Sequence, residues 1–409
     1  MTIVEDILNR MTGIRKSQKK FMIILFTTVL SLSGRVNFSN LGRYSNLNEK
    51  TYSRNFRRHF DFIHFNSLSI ERVYNPSHEY ILAGDASYIP KSGKETYGLG
   101  KFWNGVQSRS MKGLEISNFA IVDVNDKTAY TLKVDQVPPS NDEENAIDFF
   151  LSQLRSLKEA DLTIPLPKNL ATDGFYAKQR FVDGATGLGF TVISKLRKDA
   201  NLKYLYEQTH DSGNPAFRGK CSPGRPRKFA GKINLKSPDF SKLPLAAKIS
   251  EHLCLYSAVV YSVALKRNIK LVYLQHTAKN GKISYVVLFS TDLTMSAETI
   301  YRYYTSRFQI EFIFRDAKQF IGLTHCQARC QESLDFHFNM SLALLNLARI
   351  DHRMKSKQSD EGFSMASYKR RYANEMMLNL IFSKLELDPN LHKIQKVYHE
   401  LRNYGVIAA

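Results

Sequence analysis

Three acidic residues stand out by their setting. Asp85 closes the apolar run YILAGD and Asp173 closes KNLATD, each followed by small or polar residues. In an open α/β sheet, the carboxyl ends of strands are where ligands and metals gather. A lone aspartate there is ordinarily a turn residue, and Asp123 reads that way. Two of them, on strands expected to be neighbours, point to chemistry. Glu311 lies in YRYYTSRFQIEFIFRDAKQFIG (Tyr301 to Gly322), which has no proline and only a terminal glycine and so reads as one helix. Counted from Glu311, Arg307 is at i−4, Tyr304 at i−7, Arg315 at i+4 and Lys318 at i+7, so all share one face. Ion pairs on a wet helix face would contribute only about 0.3 kcal/mol each. This helix is otherwise aromatic and aliphatic and should be buried, so its charges call for a ligand.

The order Tyr304, Arg307, Glu311, Lys318 resembles the Tyr-Arg-Glu-Lys signature of bacterial insertion-sequence transposases of the DDE class, in both identity and spacing. A chance match in a chain this long is on the order of a few in a thousand. The flanking text is similar to that family as well: STDLTMSAETIYRYYTSRFQIE before, GLTHCQARCQESLDFHFNMSLALLNLAR after. GDASYIPKSGKETYGLGKFWNG resembles the family's first-aspartate region and ATDGFYAK its second. The likeness covers roughly residues 80 to 350.

The resemblance implies a ribonuclease H-like core in which Asp85, Asp173 and Glu311 hold two divalent ions, and a β-rich insertion in the long gap between Asp173 and Glu311. Hard Mg²⁺ or Mn²⁺ suits carboxylate oxygens, and a pair of such ions lowers the pKa of an oxygen nucleophile and neutralises the leaving oxygen. Water attacks first and the freed DNA 3′ hydroxyl second; in relatives with this signature that hydroxyl can attack the opposite strand to make a hairpin. Tyr304, Arg307, Arg315 and Lys318 are then expected to grip phosphates beside the cut. The function implied is cut-and-paste transposition on double-stranded DNA, by a homodimer holding two ends. The alternatives are another ribonuclease H-like nuclease and a domesticated, non-catalytic DNA-binding protein.

The elements that must position these residues can be read around them. After about Tyr80 come three strands, a helix, a strand to Asp173, a helix and another strand, the order of a ribonuclease H-like core. The fold class is therefore α/β, with residues 76–199 and 291–350 as catalytic core, 200–290 as a β-rich insertion, and helical regions at 1–75 and 351–409. The last region offers apolar faces for pairing between copies. Within the first, Phe38 to Phe60 fits helix, turn, helix, with Asn48 as cap. Lys50, Arg54, Arg57 and Arg58 oppose Tyr52, Phe56 and Phe60, which suits a DNA reader.

Composition agrees. The 409 residues carry a formal net charge of +20, which implies a polyanionic partner, most often nucleic acid. Lys91 and Lys94 lie in a glycine-rich basic loop after the first strand, expected to be mobile. Arg225, Arg227 and Lys228 form SPGRPRK, which resembles an AT-hook core. Trp103, the single tryptophan, is expected in the core, the alternative being a residue that stacks on an unpaired base. Four cysteines make no disulfide framework, so a reducing cytoplasm, close to the nucleoid, is expected. HCQARC with His337 is one loose cluster and falls short of a paired zinc knuckle. KKFMIILFTTVLSLSG resembles a targeting segment but reads as a buried helix, too short to span a bilayer, and no membrane partner is expected.

Overall fold

The computed structural model describes residues 2–139, 143–206, 228–355 and 362–407. In chain order the elements are α1 (Thr2–Arg10), α2 (Lys16–Ser31), α3 (Phe38–Arg43), α4 (Glu49–Asn55), α5 (Phe62–Glu71), β1 (Tyr80–Pro90), β2 (Gly100–Asn104), β3 (Arg109–Asp123), β4 (Thr128–Val137) and α6 (Glu143–Glu159). There follow β5 (Asn169–Thr172), a 3-10 turn (Gly174–Tyr176), α7 (Gln179–Gly187), β6 (Thr191–Leu196), β7 (Leu202–Leu205), β8 (Phe229–Lys232), β9 (Leu245–Ser250), β10 (Leu253–Ser262), β11 (Arg267–Thr277) and β12 (Ile283–Ser290). Helices α8 (Ala297–Ser306), α9 (Gln309–Asp316), a π turn (Ala317–Ile321), α10 (Gln331–Lys355), α11 (Met365–Lys384) and α12 (His392–Arg402) complete a mixed α/β chain. Two compact units result: Met1–Pro167 with Phe308–Ala409, and Lys168–Arg307.

In the first unit β3 is the central strand, pairing antiparallel with β1, β2 and β4. Its inner residues Phe119 to Val122 are fully or almost fully buried, as the unbroken apolar run dictates. The hairpin to β4 turns through Asn125 to Lys127, where Lys127 has φ +48°. Asp123 closes it by accepting the backbone N–H groups of Asn125 and Asp126, the turn role expected of it.

β4 pairs with β3 alone in this unit, and side chains satisfy its other edge. Asn346 on α10 accepts the Thr131 N–H (2.9 Å) and donates to the Thr131 carbonyl (2.7 Å). Asn339 donates to the Val134 carbonyl, Arg349 to that of Ala129, and Asn66 on α5 to that of Leu132. Helix α10 thus replaces the missing neighbour of an edge strand. Asn346→Leu would leave a buried N–H and C=O unpaired, and is expected to cost about 3 kcal/mol in urea unfolding of this unit. A loss below about 1 kcal/mol would show that the edge is satisfied by other means.

The second unit holds a mixed sheet in the order β5-β6-β12-β11-β10-β7-β8, with β9 also on β10. Among the described residues of this sheet β5 and β6 run parallel and the other pairs antiparallel. Among the described residues between 200 and 290 there are six strands, and β12 joins them edge to edge to β6. Gly281, with φ +78°, makes the β11–β12 hairpin that Asn280-Gly281 announces. Helix α8 packs on this sheet.

Several expectations are corrected. The strand expected to end at Asp85 continues to Pro90, because Ala86 to Pro90 pair with Ser117 to Gly113 of β3. The helix expected from Asn48 to Phe60 ends at Asn55. Phe56 turns inward onto Phe38 and Phe336, and Arg57 and Arg58 follow the helix instead of lying on it. The helix expected from Tyr301 to Gly322 breaks at Arg307–Phe308, where the Glu311 N–H bonds the Phe308 carbonyl, and then widens to a π turn that Gly322 ends at φ +78°. Trp103 is exposed, not in the core. The apolar run of α2 is buried as expected, through Phe21, Met22, Leu25, Phe26 and Val29. Among the described residues no helix is long and apolar enough to cross a membrane.

Candidate active site

Asp85 sits mid-strand on β1, half-buried, with its Oδ1 accepting the Ala86 N–H at 2.9 Å. Across the pair it faces Asn118 of β3. Helix α9 packs against β1 and β3, so the first unit brings together the strand of Asp85 and the helix of half-buried Glu311. A further carboxylate lies near Asp85 on the neighbouring strand, opposite Tyr88. Glu115 on β3 is pushed up to about 7, by burial first and then by the charge of Asp85. Sequence reasoning missed it, although an acid inside the apolar run GLEISNF was a visible signal.

Lys318 is placed differently from expectation. Its ammonium donates to Ser87 Oγ (2.8 Å) and to the Tyr88 carbonyl (2.9 Å), and burial lowers its pKa below the ordinary lysine value. The group braces β1 two and three residues beyond Asp85. Lys318→Met is therefore expected to lower stability by about 1–3 kcal/mol and to slow nicking and the later DNA step alike. Single-turnover rates of the two steps check this; slowing of the later step alone would restore the phosphate-gripping role.

Asp173 follows β5 directly and caps the 3-10 turn, accepting the Phe175 N–H at 3.0 Å. Ser194 of β6 donates to its carbonyl. Burial raises the Asp173 pKa; the Phe175 N–H and then the Arg307 guanidinium oppose that. The second unit thus associates Asp173 with Arg307, which is buried and lies 5.7 Å from the Tyr304 ring centroid. Arg315 is taken up by its neighbour, since its Nε and Nη2 donate to Asp316 Oδ1.

The outlying cations divide into two groups. Lys50, Arg54, Arg57, Arg58, Lys94 and Lys228 are exposed. Lys91 donates to the carbonyls of Cys326 and Ala328, and the Tyr97 N–H bonds the Arg329 carbonyl, so the loop after β1 is tied at both points and not free as expected. Arg225 and Arg227 lie outside the described residues.

The HCQARC region holds no zinc-like group among the described residues. His325 accepts the Val36 N–H, and His337, fully buried and lowered to about 4, is bonded to the Gly322 carbonyl. One group that could hold an ion is elsewhere: His78, Asp123 and Asp126, with ligand atoms within 4.8 Å of one another. Arg353 pairs with both aspartates there, so a guanidinium already supplies the positive charge. Asp123 faces Tyr80, five residues along β1 from Asp85, or about 17 Å at strand rise. The two groups are separate.

The sequence model of one family, described as a transposase DDE domain, matches residues 79–347. The chain belongs to that family. No curated protein gives a significant match. The DDE domain so defined contains Asp85, Asp173 and Glu311, and membership implies transposition by a polynucleotidyl transferase that normally uses a divalent metal. The residues fit such ions chemically: all three are half-buried carboxylates, and a desolvated carboxylate gains most from a hard cation.

Proposed function

We propose that this protein is a cut-and-paste DNA transposase in which Asp85, Asp173 and Glu311 hold Mg²⁺ or Mn²⁺, two ions per site. The observation that carries the reading is the family match spanning all three carboxylates. When bound, such ions would make an oxygen nucleophile stronger at neutral pH and neutralise the leaving oxygen. The chain's own groups do the rest. The three acids fix the ligand set. Arg307, backed by Tyr304, offers a guanidinium beside Asp173 for a flanking phosphate. Lys318 holds the backbone after Asp85. The exposed cations at 50–58 take the DNA ends, in keeping with the +20 charge.

Dimer assembly on two ends is part of the same reading. Helix α10 is occupied by the core, but Met377, Leu380 and Ile381 on α11, with Leu385 just beyond it and Leu401 on α12, are exposed. These, not α10, offer apolar surface for a second copy. A hairpin intermediate is proposed on the Tyr304-Arg307-Glu311-Lys318 spacing alone.

Purified protein incubated with Mg²⁺ and labelled DNA that flanks the coding sequence should produce a strand break on a denaturing gel. EDTA should abolish it. Tight binding without any break, in Mg²⁺ and in Mn²⁺, would favour the non-catalytic alternative; breaks without strand transfer would favour a nuclease.

A further inference from the structure

The β2–β3 hairpin carries a surface that the catalytic reading does not use. Trp103 is 62% exposed although it is the chain's single tryptophan. The pairing register explains which way it faces. Lys101 is opposite Lys112 and Trp103 is opposite Ser110, so these four side chains share one face. Phe102 opposite Met111 forms the other face, and Phe102 is only 9% exposed, which anchors the hairpin and commits the indole to solvent.

The hairpin tip is built, not loose. Asn104 Oδ1 accepts the N–H groups of Val106 and Gln107, and Arg109 donates twice to Gln107 Oε1. Val106, 96% exposed, caps it. No acidic residue lies between Gly100 and Gly113, whereas Lys101, Arg109 and Lys112 are all exposed. An indole with a pair of ammonium groups beside it, Lys101 and Lys112 facing each other across the hairpin, complements a base and the backbone phosphates next to it. The net charge of +20 favours nucleic acid as the partner of this surface.

We propose that this hairpin is a base-stacking site: Trp103 stacks on an unpaired base of bound DNA while Lys101 and Lys112 take the adjacent phosphates. The proposal rests on the DNA-handling reading above. Ser110, opposite Trp103, is eight residues along β3 from Asn118, opposite Asp85. At strand rise that is about 27 Å, so the indole meets DNA well to one side of the cut and not at the scissile phosphate.

The sole tryptophan makes the test direct. Full-length protein is titrated with fluorescein-labelled oligothymidine and, separately, with a labelled duplex, following anisotropy and indole emission together. Quenching by the single strand, at the midpoint given by anisotropy, is expected. Trp103→Ala should weaken single-strand binding by about 10-fold and Trp103→Phe by much less, with duplex binding nearly unchanged. Lys101→Ala with Lys112→Ala should reduce the single-strand salt slope by about 1.4. Binding with a silent indole, or unchanged affinity in Trp103→Ala, would overturn the stacking site while leaving the transposase reading in place. An indole shift that follows protein concentration without DNA would overturn it in favour of a contact between copies. Failure to bind any DNA would remove both readings.

Discussion

Asp85→Ala, Asp173→Ala and Glu311→Ala are each expected to reduce DNA cleavage by about a thousandfold or more while leaving DNA binding within a few-fold of wild type. Removing one carboxylate empties part of a shared ligand set, and several kcal/mol of charge stabilisation in the transition state are lost with it, each 1.36 kcal/mol being tenfold in rate. Affinity, in contrast, comes mainly from phosphate contacts by cations spread over the surface. Glu115→Gln serves as the contrast. It removes a carboxylate that feels the charge of Asp85 without touching the proposed triad, so cleavage should survive it. Single-turnover cleavage with Mg²⁺, run beside a gel shift, measures both quantities. A triad variant that cuts at the normal rate would remove that residue from the site. Loss of activity in Glu115→Gln equal to that in the triad would mean that Glu115 belongs to the ligand set.

Where the sequence was legible, a local pattern was also the physical cause. Alternating and unbroken apolar runs drew β3, β4, β10, β11 and β12, and Asn48 and Asn280-Gly281 marked a cap and a turn that depend on their own side chains or backbone. Asp173 stands at its strand end because the turn after it is local. Asp85 was misjudged because strand length is set by the partner: five residues of β3 extend β1 past the point where its apolar run stops. The break at Arg307–Phe308 was hidden for a related reason. Both residues keep right-handed helical backbone angles there, so nothing in their propensities marks it. The roles of Lys91 and Lys318 were unreadable, since each ammonium bonds backbone carbonyls more than 200 residues away in sequence. Trp103 was expected inside because tryptophan usually is; a hairpin whose other face is already occupied by Phe102 leaves it outside.

Asp316→Ala is expected to destabilise the first unit by about 3–5 kcal/mol, the largest loss of stability expected from one substitution here. Asp316 and Arg349 are 6% and 8% exposed, and Arg349 Nη2 donates to Asp316 Oδ2 at 3.1 Å. The same guanidinium donates through Nη1 to the Ala129 carbonyl at 2.7 Å, on the β4 edge that α10 covers. Asp316 also receives both bonds from Arg315. One carboxylate therefore ties the end of α9, which carries Glu311, to α10 and, through Arg349, to the sheet. Deleting it strands a buried cation, and that desolvation cost, not the lost pair itself, sets the magnitude. Asp316→Asn keeps an acceptor and should fall in between. Asp316→Leu with Arg349→Met removes both charges and should recover most of the stability. Urea unfolding followed on the first unit's helices measures these differences, and cleavage assays on the same proteins separate stability from chemistry. If the double variant regains stability but not cleavage, the pair also holds Glu311 in place. A loss below about 1 kcal/mol in Asp316→Ala would show that the Arg349 charge finds water or another partner when Asp316 is gone.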